Sequence, residues 1–92
     1  MPKRNKIKIR KRADIAIKSL NPKEQERVLN LIEYLENFPK DRYIDKFVHQ
    51  IEGWDSTYAT KVNEYLRIIF SYKNERVVIE DVINKESFLE DQ

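Results

Sequence analysis

The chain has 92 residues, of which 40% are hydrophobic and 37% are charged, and its formal net charge is +2. A chain of this length and composition is expected to form a single domain with one modest core, and it is too apolar for a disordered protein. It contains no cysteine and one histidine, His49, which excludes a disulfide framework, a thiolate metal site and a histidine cluster. We expect neither a bound metal nor a cofactor.

The basic residues are concentrated near the N-terminus. Residues 3–12 contain seven of the 18 Lys and Arg residues, and the rest of the chain has 11 basic against 16 acidic residues, a net charge of −5. Such a segment is typical of a surface that meets an anionic partner, although a solvated edge would look the same. No apolar run approaches the ~18 residues of a membrane span, and no signal-peptide pattern is present, so we expect a cytoplasmic protein without a membrane partner.

A short strand and two helices are predicted in the first part of the chain. Residues 6–10 alternate lysine or arginine with isoleucine, the pattern of a half-buried strand at a sheet edge, whereas residues 1–5 are expected to be a loose tail. An amphipathic helix is predicted over 13–20. A second helix has the clearest start, because Asn21 can cap it and Pro22 suits its first position. The apolar stripe of this second helix is predicted to consist of Val28, Leu29, Ile32 and Leu35.

The second half of the chain is predicted to form three consecutive strands. Residues 58–72 are rich in β-branched and aromatic residues and read as two strands joined by a tight polar connection. A turn at Lys73-Asn74-Glu75 leads into the third strand, residues 76–83. If Asn74-Glu75 is a two-residue loop, Phe70 faces Ile79. Residues 40–56, which precede these strands, are expected to be a short helical turn or an irregular segment that covers the core.

The predicted order of elements, β-α-α-β-β-β, defines the fold class. It predicts a single α+β domain over residues 1–92, with a small antiparallel sheet and both helices packed on one face. Residues 89–92 are expected to be a loose tail. The other face of the sheet would be open and would carry Arg67.

Arg67 needs an explanation, because a lone arginine in a partly buried strand is costly unless something pairs with it. If the connection comprises residues 63–65, Lys61 lies directly opposite Arg67 on the same face. Like charges in that position destabilise a sheet unless an anion lies between them. With a two-residue connection the two cations point to opposite faces. Arg67 would alternatively form a semi-buried salt bridge with Glu80 of the next strand.

The element order and the hairpin resemble those of the RelE/ParE toxin superfamily over residues 6–88. The hairpin is most similar to that of the HigB-type branch, whose members carry an aromatic-x-x-Arg-Val-Asn-x-x-aromatic-Arg pattern. The residues at these positions here are Tyr58, Lys61, Val62, Asn63, Leu66 and Arg67, with lysine in place of the first arginine and leucine in place of the second aromatic residue. The resemblance implies a RelE-like fold and the toxin half of a type II toxin–antitoxin system, bound to its antitoxin in a hetero-oligomer.

The resemblance also implies an activity and a site. RelE-like toxins enter the ribosomal A site and cut messenger RNA without a metal, by in-line attack of a ribose 2′-OH on the neighbouring phosphate. Messenger RNA and the ribosome would then be partners of this chain. By position, Arg67 matches the family's phosphate clamp, Lys61 matches a basic residue of the preceding strand, and Lys85 lies near a basic residue that follows the last strand. These three residues are the candidate catalytic groups.

Four further residues are candidates for RNA binding, two as cations and two as rings that can stack on bases: Lys8, Arg10, Tyr58 and Phe88. Tyr58 would alternatively pack in the core. Active family members usually offer a Tyr or His near the C-terminus, where Phe88 cannot exchange a proton. His49 would be either a proton-transfer group or a structural histidine. It therefore stays open whether the chain is an endoribonuclease, a ParE-type toxin that acts on DNA gyrase, or a RelE-fold protein that only binds an antitoxin.

Overall fold

The structure, a computed structural model, describes residues 4–40 and 42–84. The elements in chain order are β1 (Lys6–Ile9), α1 (Lys11–Lys18), α2 (Pro22–Tyr34), a 3₁₀ turn (Leu35–Asn37), α3 (Arg42–Asp45), β2 (Val48–Gln50), β3 (Thr57–Lys61), β4 (Leu66–Lys73) and β5 (Arg76–Asn84). None of the helices in these two ranges is long and apolar enough to cross a membrane.

The five strands form one mixed sheet in the order β1-β5-β4-β3-β2. The α+β class and the edge position of the basic strand β1 are as predicted, but β1 pairs with β5 in parallel, which corrects the expectation of a purely antiparallel sheet. The parallel pair is possible because residues 10–75, which include the helices and strands β2 to β4, provide the long connection that such a pair needs. The structure also adds β2, three residues long, inside the segment expected to be helical or irregular.

The helices cover one face of this sheet, as predicted. Asn21 caps α2, since its side-chain oxygen accepts a hydrogen bond of 2.8 Å from the backbone N–H of Glu24. The fully buried core residues of α2 and the turn after it include Val28, Leu31 and Leu35. Leu29 was wrongly placed in the buried stripe: its side chain is 47% exposed, and Leu31, three residues after Val28, points inward in its stead.

An aromatic cluster joins the helical layer to the strands. The ring of Phe38 lies 5.1 to 5.2 Å, centroid to centroid, from the rings of Tyr58, Phe70 and Tyr72. Phe70 is fully buried in the middle of β4. Because alternate residues of a strand point to opposite faces, this packing directs Arg67 and Ile69 to the face that the helices leave open.

The pairing of β4 with β5 contains a β-bulge. Phe70 pairs with Ile79, as the predicted Asn74-Glu75 turn requires, but Ile69 pairs with Asp81, so Glu80 is an extra residue without a direct partner on β4. This shifts the register of the remaining pairs, and Arg67 lies opposite Ile83. The alternative prediction of an Arg67–Glu80 salt bridge is therefore wrong.

Candidate functional site

The connection between β3 and β4 fixes the relative positions of the two central cations. Lys61 pairs directly with Arg67, and the N–H of Val62 donates to the carbonyl of Leu66 at 3.0 Å, which leaves a three-residue connection. The side-chain oxygen of Asn63 shapes this connection, because it accepts hydrogen bonds of 2.8 Å from the N–H groups of Tyr65 and Leu66. Of the two predicted registers, the one that places both cations on one face is correct.

Backbone carbonyl groups hold the guanidinium of Arg67. Its Nη1 donates to the carbonyl oxygen of Asn63 at 2.6 Å and to that of Leu66 at 2.9 Å. Both acceptors are neutral, so the positive charge of the half-buried side chain is retained. Within residues 4–40 and 42–84, no carboxylate forms an ion pair with either Arg67 or the exposed Lys61. The pair can therefore bind an anionic group between its two charges.

His49 lies on the same open face as the two cations. It pairs with Ala59 of β3, and the ladder continues past this pair, because the N–H of Lys61 donates to the carbonyl of Phe47 at 2.9 Å. His49 is thus a diagonal neighbour of Lys61, at a backbone distance of about 7–8 Å. Its side chain is exposed, so it is not a packed core histidine. Three successive strands, β2, β3 and β4, present an imidazole, an ammonium and a guanidinium side by side.

The other predicted site residues lie farther apart. Lys8 is exposed on the edge strand β1, opposite Val78. The Nε of Arg10 donates to Glu80 at 2.9 Å at the start of α1. Tyr58 points to the helical face and stacks on Phe70 at a centroid distance of 5.5 Å. This agrees with the alternative prediction that Tyr58 packs in the core.

The structure thus brings together Lys61 and Arg67, and it separates them from Lys8 and Tyr58. Lys85 and Phe88 lie outside the described residues, and their roles stay predictions.

A groove that was not predicted from the sequence adjoins Lys61 and Arg67 on the open face. Its volume is about 1130 Å³. The groove floor is formed by side chains of the three central strands, namely Thr57, Ile69 and Ile83. One wall is the basic segment 10–12, and the other is the β2–β3 loop with Trp54. Sequence patterns gave no signal for this groove, because its walls lie about forty residues apart and meet only through the strand order.

Solved structures that are similar to this one include toxins and toxin–antitoxin complexes. The archaeal RelE–RelB complex from Pyrococcus horikoshii matches with a TM-score of 0.69 and 23% identity, over 88% of this chain and 94% of that one. The RelB–RelE complex from Methanococcus jannaschii matches with a TM-score of 0.74 and 15% identity, over 89% and 94%. A mutant of the Escherichia coli toxin RelE in the free state matches with a TM-score of 0.72 and 15% identity, over 91% and 86%.

No protein-family model matches the sequence, and no curated protein is significantly similar to it. The structural likeness is nevertheless extensive, because it covers most of both chains in each comparison. The chain therefore shares its fold with these RelE toxins, as its element order and hairpin predicted. At these identities the likeness defines the fold, and the activity has to be argued from the site.

Proposed function

We propose that the chain is the toxin of a type II toxin–antitoxin system and that it inhibits translation by ribosome-dependent, metal-free cleavage of messenger RNA. The observation that carries this proposal is the direct pairing of Lys61 with Arg67 on the open face of the sheet. Two cations held opposite each other create the site that a phosphate diester would fill. The fold shared with RelE toxins supports the toxin class.

The proposed reaction needs positive charge where these side chains provide it. As the ribose 2′-oxygen forms a bond to phosphorus and the bond from phosphorus to the 5′-oxygen breaks, negative charge builds up on the non-bridging phosphate oxygens. A guanidinium that neutral carbonyls already hold in place stabilises that charge without reorganising. The products are a 2′,3′-cyclic phosphate and a 5′-hydroxyl group.

His49 supplies a proton-transfer group on this face. A guanidinium does not act as a base near neutral pH, whereas an imidazole does. In the proposed reaction His49 takes the proton of the attacking 2′-hydroxyl, and the leaving 5′-oxygen takes a proton from water. In this proposal His49 replaces the Tyr or His that active family members usually offer near the C-terminus, where this chain has Phe88.

An antitoxin is the proposed protein partner. Two of the similar structures are complexes of RelE with RelB, and we expect this chain to form a corresponding hetero-oligomer. The edge strand β1 pairs with β5 on one side only among the described strands, and its side chains Lys6 and Lys8 are exposed. This edge suits an extended antitoxin segment that carries acidic residues.

The experiment that tests the function is induced expression in a bacterium, with growth and the 5′ ends of cellular messenger RNA followed together. The wild type should arrest growth and produce new 5′ ends at codon-spaced positions, and the double variant Lys61→Ala/Arg67→Ala should do neither. The matched control is Lys73→Ala/Arg76→Ala, because these two exposed cations also pair directly, at the opposite end of the sheet. The control should behave as the wild type.

Each other outcome points to an alternative. Growth arrest with intact messages would favour a ParE-type toxin that acts on DNA gyrase. No arrest by the wild type would favour a protein that only binds an antitoxin. Because Arg67 also bonds to the β3–β4 connection, the double variant must keep the circular dichroism spectrum and the thermal midpoint of a folded domain for its loss of toxicity to count.

A further inference from the structure

We propose that the groove beside Lys61 and Arg67 binds the base of the RNA nucleotide next to the cleaved phosphate, with Trp54 as the surface on which this base stacks. The inference deepens the proposed function, since it rests on single-stranded RNA being the substrate. It assigns a binding role to Trp54 and to the groove, which is lined by residues other than the catalytic pair Lys61 and Arg67.

The first observation is the exposure of Trp54 on an ordered loop. Its side chain is 62% exposed, the largest exposed fraction among the large hydrophobic residues in the described ranges. Hydrogen bonds fix the loop: Ile51 N–H to the Thr57 carbonyl at 2.9 Å, Trp54 N–H to the Ile51 carbonyl at 3.2 Å, and the Thr57 hydroxyl to the Asp55 carbonyl at 3.1 Å. This exposed indole does not contribute to the core, and its ring is accessible to a ligand in the groove.

The second observation is that the groove begins at the phosphate site. Ile83 on its floor pairs directly with Arg67, and Ile69 follows Arg67 by two residues on the same face. The floor ends at Thr57, which pairs with Ser71. From Arg67 to Ser71 the strand rises about 13 Å. A nucleotide whose phosphate lies at the cation pair can therefore extend its base along this floor towards Trp54.

The third observation is the charge of the lining. Three cations of the basic segment, Arg10, Lys11 and Arg12, are balanced by the three carboxylates Glu52, Glu80 and Asp81. Two of these carboxylates are already paired, Glu80 with Arg10 at 2.9 Å and Asp81 with Arg12 at 3.9 Å. The groove is therefore neutral as a whole, with isoleucine side chains on its floor. Such a surface suits a planar base, whereas the unneutralised Lys61 and Arg67 suit its phosphate.

The volume agrees with this occupant. About 1130 Å³ lies slightly above the range of small-ligand pockets, roughly 300–1,000 Å³, so a nucleoside fits with room for a neighbour. RNA is the proposed occupant because the groove adjoins two cations, Lys61 and Arg67, that have no carboxylate partner among the described residues. An apolar protein segment has no phosphate to place there, and it becomes an outcome of the test.

Trp54 is the only tryptophan of the chain, so its fluorescence reports on the groove directly. The full-length protein is titrated with short single-stranded oligoadenylate and oligouridylate whose riboses are 2′-O-methylated and cannot be cleaved. Stacking should quench the fluorescence in a saturable way. Measured by fluorescence anisotropy of labelled RNA, Trp54→Ala should weaken binding about 5- to 150-fold, the effect of removing one stacking aromatic ring. Trp54→Phe should retain most of the affinity.

The matched control is Tyr34→Ala. Tyr34 is also an exposed aromatic residue, 40% exposed, but it lies on α2, which covers the other face of the sheet. Its loss should leave RNA affinity unchanged. The absence of quenching at any RNA concentration, or equal affinities for Trp54→Ala and Tyr34→Ala, would overturn the proposal. Quenching by a co-purified antitoxin but not by RNA would also overturn it and would make the groove a protein-docking site.

A failure of the groove assignment can be distinguished from a failure of the proposed function. If the wild type cleaves no messenger RNA in cells while RNA still quenches the fluorescence of Trp54, the result supports base binding in the groove and rejects the cleavage reaction. If cleavage depends on Lys61 and Arg67 while Trp54→Ala changes neither affinity nor KM, the function stands and the groove assignment falls.

Discussion

Lys61 and Arg67 face each other across β3 and β4, a position in which like charges destabilise a sheet. The structure limits this repulsion in two ways. Lys61 is exposed, and Arg67 is half-buried with its Nη1 bound by two carbonyl oxygens of the hairpin. Neither arrangement neutralises the charges, so a bound anion would relieve the remaining repulsion. A stability cost at a site that binds its ligand by opposite charge is a common feature of functional sites.

His49 gives the sharpest prediction for a single residue. His49→Gln keeps the approximate size and polarity of the side chain but cannot exchange a proton near neutral pH. If His49 is the general base, the rate of message cleavage on purified ribosomes should fall about 10²- to 10⁴-fold. The thermal midpoint should not change, because the side chain is exposed.

Two comparisons make the His49 result decisive. Gln50→Ala alters the next residue of β2, whose side chain points to the opposite face, and it should cleave at the wild-type rate. His49→Ala should regain part of its activity when imidazole is added to the reaction. Equal rates for His49→Gln and the wild type would assign proton transfer to another group.

The candidate site could be predicted only in part, because its residues depend on local registers. The pairing of Lys61 with Arg67 was one of two possibilities, and the choice between them rests on Asn63, whose side chain closes a three-residue connection here. Asparagine favours two-residue turns as well, so its presence in the sequence did not decide the register. The exposure of Trp54 was not predictable, since the sequence does not show whether a tryptophan packs in the core or faces solvent.

At the level of the elements, two leucines of the second helical segment give a paired test of the packing. Leu35 is fully buried in the turn after α2, whereas Leu29 on α2 is 47% exposed. Leu35→Ala should lower the free energy of unfolding by about 2–5 kcal/mol, because it leaves a cavity in the core. Leu29→Ala should change the free energy of unfolding by less than about 0.5 kcal/mol.

Urea denaturation followed by circular dichroism measures both variants under the same conditions. A loss below about 1 kcal/mol for Leu35→Ala would mean that the site collapses around the smaller side chain. A large loss for Leu29→Ala would mean that this exposed leucine has a partner in solution, since the monomer offers it little contact area.

The helices were easier to predict than the sheet, for physical reasons. The start of α2 is determined by neighbouring residues, since Asn21 caps the helix and Pro22 follows it, and the structure has this cap. β2 is three residues long and has no room for the alternation that identifies a strand. The bulge at Glu80 depends on how β5 pairs with β4, and the parallel pairing of β1 depends on a partner strand at the other end of the chain. Local patterns carry no information about such partners.

On the scale of the whole molecule, the charges are divided between the edge and the body of the domain. The N-terminal residues 3–12 carry seven cations, and the rest of the chain has a net charge of −5. Part of the basic segment is neutralised within the fold, where Arg10 and Arg12 pair with carboxylates of β5. Lys8 has no such pair among the described residues, and it lies on the edge strand away from the proposed phosphate site. In the proposed function it would therefore contact an RNA phosphate away from the cleaved bond, without taking part in the reaction.

Lys8→Gln tests this division. If Lys8 contacts an RNA phosphate, removing its charge should lower the slope of log affinity against log salt by about 0.7, the value for one contact on a single strand. Cleavage at saturating substrate should be unchanged. The matched control is Lys23→Gln, an exposed lysine in the first turn of α2 on the helical face, which should leave the slope as it is. An unchanged slope for Lys8→Gln would place β1 outside the path of the RNA, and the exposed cations of this edge would then be available to acidic residues of the antitoxin alone.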